Sequence, residues 1–435
     1  MKTQRDLTVT TDSNQVIDVI NYFNDQILNS GNNAEVILKA ANDYPENLLL
    51  QIYAAAFYLY AQEDTATNIA LQILRNAEYQ LHDANLRERL TYYAVCAWAN
   101  LDYEQAITIF TSIIALFPKD VLALKFVEWL FYCTGQSYQN QCFLDLCKQC
   151  LKHNQNDPAF LASYSFAQEL CGHYKEAKKI AQKAIELTPL VVPWAHHTLA
   201  HAYLFENDIE GGISCLEKLS LSWKTILPLL KGHNTWHLAL FHLANRNEKE
   251  ILKLFPDIFG ATPNLVLEQL DAISLLWRMD LAGLGKNNYF IEISQYLGDH
   301  PNEHYIAFNN VHFIYCLARA GKNELANQAL KSIKDYAATL TSKPTQTLWQ
   351  DIALPLCHGI KYLAENNYQQ AYEIMEPAIQ DCFRLGGSDA QNEIYTQSFL
   401  YCLIKTEQHE KAQAFFQKYL NHYRHTALAN YWFQQ

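Results

Sequence analysis

The 435-residue sequence predicts an all-α repeat fold, a solenoid of stacked helix pairs, and three observations predict it. Glycine and proline are scarce, 14 and 12 residues, well below their usual shares of roughly 7% and 5%. A sheet-rich chain of this length needs many more turns, and turns draw on those two residues. Half of the residues are hydrophobic, with 27 Tyr, 21 Phe and 8 Trp among them, which is ample for an extended core. A small residue followed four positions later by an apolar one recurs at an interval of about 35.

That interval and pattern are those of tetratricopeptide-type helix pairs, in which a small residue marks where helix B crosses helix A. Tyr174, Ala177, Ala181, Ala184 and Pro189 give the clearest copy, and Tyr103, Ala106, Phe110 and Pro118 a second. Cys142 with Leu146 and Gly212 with Leu216 fill the equivalent places in register, and Ala66 with Ala70 and Ile73 an earlier one. Later copies, at Ala326, Ala371 and Ala412, are more widely spaced, so a right-handed solenoid should become irregular towards the C-terminus. The joints Asn207-Asp208, Gly321-Lys322-Asn323 and Asn366-Asn367 suit left-handed backbone and helix termination. The stretch Gly260 to Pro301 is the least repeat-like and reads as loops over the concave face. Within it, Gly283-Leu-Gly-Lys286 lacks the spacing and the Ser/Thr of a phosphate loop. The whole reads as one continuous array, with N-terminal repeats over 1–150 and repeats bearing the functional site over 151–435.

The formal charge of −12 is dispersed, with no basic run. Neither nucleic acid nor an anionic membrane is therefore an expected partner, because both require a clustered cationic face. No stretch of about 18 apolar residues occurs, and Met1 to Gln26 lacks the apolar centre of a signal peptide. Eleven cysteines, most within helical apolar patterns, suit a reducing compartment, where thiols behave as small hydrophobes. A cytoplasmic protein with core cysteines is the expectation. Cys147 and Cys150 form a Cys-x-x-Cys without a second pair at zinc-ribbon spacing.

Chemistry concentrates elsewhere. Six of the sixteen histidines lie between 196 and 242. His197 and His201 stand at i and i+4, as do His233 and His237, and on a helix each pair shares a face. Both strings precede a helix B pattern, so two histidine pairs on consecutive A helices should face each other across a concave groove. Asn234, Asn309, His312 and Asp351 are candidates to join them, Asp351 as a carboxylate near a helix start. Two chemistries fit. Imidazoles with a carboxylate bind zinc or a similar divalent ion, with His197, His201, His233 and His237 as the ligands. Without metal, one histidine acts as general base while its neighbours bind a polar substrate. The His-Glu-x-x-His signature is absent, since Thr198 follows His197. Ser388 and Gln391, after Gly386-Gly387, have the spacing of a capping box.

Five strings occur in order: His197-Thr-Leu-Ala-His201, His233-Asn-Thr-Trp-His237-Leu-Ala-Leu, Phe308-Asn-Asn-Val-His312-Phe, Asp351-Ile-Ala-Leu-Pro-Leu-Cys and Gly386-Gly-Ser-Asp-Ala-Gln391. As a set, over about residues 155 to 420, they resemble the tetratricopeptide repeat protein 38 family of bacteria and animals. The resemblance implies helical repeats and draws attention to polar strings, Ser388 and Gln391 included, without implying a reaction. The functional expectation is a repeat protein that binds a small molecule or peptide end, or a protein partner, in a His/Asn-lined pocket. The alternative is a hydrolase of amide or related bonds, with His201, His237 and Asp351 as its acid–base or metal groups.

Overall fold

The structure, a computed structural model, describes residues 1–434. It is all-α, as the scarcity of turn residues requires: twenty-four α-helices, and among the described residues only an isolated β-bridge, Lys2 with Thr8. The helices alternate as A and B partners of antiparallel-type pairs, from Leu48–Leu59 with Asp64–Ala77 to Asp389–Lys405 with His409–Tyr419. Among the described residues no helix is long and apolar enough to cross a membrane.

Local chemistry sets the boundaries. Asp157 accepts from the Ala159 and Phe160 amides ahead of Pro158, and Asn85 and Glu88 form a reciprocal capping box. The joints behave as their sequences imply: Asn207, Gly321 and Asn366 take φ of 59°, 76° and 62°, the left-handed region that Asn and Gly enter most readily. The small residues at the crossings, Ala106, Ala177, Ala326, Ala371 and Ala412, are fully buried.

Three expectations change. Cys142 is exposed, and Phe143, Cys147 and Cys150 point inward instead; the inward stripe of Asn140–Asn154 is set by the larger apolar side chains. Cys96, Cys171 and Cys215 are only half-buried. The stretch 260–301 is not a set of loops, because it holds the helix Val266–Leu281, buried along nearly its full length, and the short helix Asn287–Ile293.

The chain forms two compact units. The first comprises residues 1–133, 139–199 and 222–230; the second comprises 134–138, 200–221 and the chain from Lys231 onward. In the first, buried Glu128 accepts from Lys125, Ser163 and Trp194, and Arg87 pairs with Asp120 at 3.0 Å. In the second, the helices Pro228–Ala244, Val266–Leu281, Ala307–Arg319 and Asp389–Lys405 carry a large share of buried polar groups. A buried helix with charged residues on it is unusual, and here it marks the site.

Gly212 shows how tightly the second unit closes. A methyl group there would meet the buried Phe241 ring at 2.3 Å. Gly212→Ala is expected to cost about 1–3 kcal/mol by overpacking, read as a lower urea midpoint with an unchanged slope.

Candidate functional site

The predicted histidines fall in both units. His197 belongs to the first unit, where it stacks on Trp194 with ring centroids 4.3 Å apart and meets the edge of Phe166 at 4.8 Å. His196, in the same unit, accepts the Trp223 indole N–H at 3.0 Å. Both are buried.

In the second unit His201, His237 and His233 form a row. The His201 and His237 rings lie 4.6 Å apart, and those of His237 and His233 lie 4.8 Å apart. The A-helix assignment is therefore right, since Pro193–Phe205 supplies the first and Pro228–Ala244 the other two. An open groove is not what results: His201 is 0% and His237 1% exposed.

Two carboxylates anchor the ends of the row. His201 Nδ1 lies 2.9 Å from Asp389 Oδ1, and His233 Nδ1 lies 3.1 and 3.0 Å from the two oxygens of Asp271. Asp389 opens its helix just behind the cap in which Ser388 and Gln391 satisfy each other's backbone amides. Those two residues, candidates for ligand contact, thus have their side chains engaged in holding the helix end that presents Asp389. Asp351 corrects the expectation in a different way. It is exposed, within a π-helical segment Leu348–Ala353 that runs into the next helix instead of starting one. Asn234, Asn309 and His312 are buried, as a site requires.

Electrostatics follow from burial. Desolvation holds His237 well below the ordinary imidazole range, with the charges of His201, His233 and Arg278 acting in the same direction. His312 donates from Nδ1 to the Phe308 carbonyl at 2.8 Å, which leaves Nε2 as its lone-pair nitrogen. Burial pushes it down to about 3.

Arg278 is the residue that pattern reading passed over. It is 1% exposed. Its Nη2 donates to the carbonyls of Ala390 and Gln391 at 2.7 and 3.1 Å, its Nη1 to Ser274, and its guanidinium lies 5.2 Å over the Trp236 ring. Carboxylates near it meet imidazoles: Asp271 meets His233, Asp389 meets His201, and Glu393 meets His422 at 2.5 Å and the Tyr423 hydroxyl at 2.9 Å. Arg278 has no ion-pair partner among the described residues, and burial lowers it to about 10. Asp271 and Arg278, seven residues apart on one apolar helix, were the available signal. Asp389 stood inside the string Gly386–Gln391.

For a divalent ion this unit offers the neighbouring His201 and His237 rings, yet a buried guanidinium adjoins His237, and its charge opposes a second cation.

No family model matches the sequence. Among solved structures, a human IFIT1 dimer with m7Gppp-AAAA is similar at a TM-score of 0.43 and 14% identity, with 97% of each chain covered. A Naa15/Naa10 structure bound to HypK-THB is similar at 0.23 and 13%, with 92% of this chain and 67% of that one covered. The helical repeat architecture stands on the helix pairs themselves, and these likenesses add no ligand to it.

Buried neutral imidazoles give the fold a definite response to acid. The unfolded His312 titrates near 6.5 and the folded one near 3, so between those values the unfolded chain binds the extra proton. Its stabilisation is fully present above about pH 6.5 and falls away below it, by about 2 kcal/mol at about pH 5. Urea unfolding at both pH values checks this, and His312→Gln should flatten the difference.

Proposed function

We propose that this chain is a repeat protein whose second unit receives a small molecule or the end of a peptide within its His/Asn-lined interior. One observation carries the proposal: His201, His237 and His233 stand in a buried row whose ends are held by Asp389 and Asp271. A polar row serving only to pack the interior would be replaced at little cost by apolar side chains. Fixing each outer imidazole through Nδ1 orients the rest of the ring for a further polar group. His233 and Asp389, with side chains 17% and 23% exposed, stand where the row approaches solvent.

The hydrolase alternative also has an observation in its favour. Burial keeps His237 in its neutral form, and a neutral imidazole is a proton acceptor. The two readings separate by turnover. Under the receptor reading, small polar compounds and short peptides raise the melting temperature without being consumed, and His237→Phe abolishes the shift while retaining helical content. Release of nitroaniline from peptide nitroanilides by the wild type, lost in His237→Phe, would establish the hydrolase instead. Elemental analysis of protein purified without an affinity tag should give far less than one divalent ion per chain. Stoichiometric zinc would replace the receptor reading with a metal site.

A further inference from the structure

Building on that reading, we infer that the ligand is a monoanion, a carboxylate that the Arg278 guanidinium receives inside the second unit. A guanidinium keeps its charge throughout the accessible pH range, and a buried charge is expensive unless it is paired. Here the carboxylates Asp271, Asp389 and Glu393 lie against the imidazoles of His233, His201 and His422 and not against Arg278. Arg278 is matched only to carbonyls and a hydroxyl. Carbonyl dipoles lessen the cost of the charge without neutralising it, and no carboxylate of the described residues forms an ion pair with this guanidinium.

The donors around that cation point the same way. Arg278 Nε has no acceptor, and neither have the indole nitrogens of Trp236 and Trp277, which are 0% exposed. Such donors belong to the few per cent of buried polar groups left without a partner. Trp236 lies under the guanidinium, and the Trp277 ring lies 5.6 Å from that of His312, on which the Arg278 charge acts. The amide nitrogen of Asn392 is likewise a buried donor without a partner. Oxygens that accept several N–H bonds answer these donors.

Charge decides between a carboxylate and a phosphate. One unmatched guanidinium neutralises one negative charge. A phosphate dianion would leave an excess negative charge close to three carboxylates, an arrangement the low interior dielectric penalises. A small organic acid and the C-terminal carboxylate of a peptide both supply the required group.

The test uses acid–amide pairs of equal shape, titrated calorimetrically into the full chain: benzoate with benzamide, N-acetyl-trialanine with its C-terminal amide, and inorganic phosphate alongside. The acid of at least one pair should bind and its amide should not, and the pair that responds identifies a free acid or a peptide end as the source. Arg278→Lys, which keeps the charge but loses the planar fork, should weaken the acid about tenfold or more. Trp277→Phe, which removes one N–H, should weaken it less. The wild-type comparison of acid with amide decides the matter even if Arg278→Lys fails to fold. An amide that binds as tightly as its acid, through His237 and independently of Arg278, would overturn the carboxylate and leave the receptor reading intact. Phosphate binding as tightly as the acids would overturn the monoanion. Binding by none of the probes at millimolar concentration would overturn the inference outright.

Discussion

A guanidinium taken almost wholly out of water organises the second unit. Transfer of an ion into a protein interior costs several kcal/mol even after relaxation, so the helices around Arg278 must each offer it something. The Val266–Leu281 helix gives the Ser274 hydroxyl, and the Asp389–Lys405 helix gives the carbonyls of its first turn. The Pro228–Ala244 helix gives the Trp236 ring. Those three helices are thereby held by one side chain, and one of them, Pro228–Ala244, carries His233 and His237 of the histidine row.

The same field explains why the imidazoles differ. His201 and His233 have carboxylates, and each pair is an ion pair or a neutral hydrogen bond according to where its proton sits. His237 lies between them and close to Arg278, so protonation is opposed by burial first and by like charge second. His312 is similarly placed and similarly neutral. A site composed this way presents neutral imidazoles beside a permanent cation, a combination suited to polar anions.

Periodicity made the helix pairs legible, because small residues at crossings and Asn or Gly at joints are local requirements. His201, His233 and His237 were legible too, as pairs one turn apart on A helices. Burial was not, because exposure depends on what packs over a face, and here the cover comes from a helix starting at Asp389. Nor was Arg278, since a charge on an apolar helix reveals its role only when its neighbours are known. The stretch around it seemed loop-like because Gly283, Gly285 and Gly298 cluster there. They occupy the joints flanking a short second helix, Asn287–Ile293. Asp351 misled for the opposite reason: a carboxylate before a proline looks like a helix start, while the π-helical segment carries the backbone straight through.

The bonds from Arg278 to Ala390 and Gln391 join residues 112 and 113 positions apart, and they bear on how this chain is made. In a simple repeat array each pair rests only on its neighbours, so a growing chain completes itself one repeat at a time. Here the helix at Val266 carries a charge whose carbonyl partners are synthesised more than a hundred residues later. The second unit therefore cannot finish during its own translation until Gln391 has emerged. Its earlier repeats wait with a cation short of acceptors, which ties their final packing to the last part of the chain and makes their unfolding a collective event.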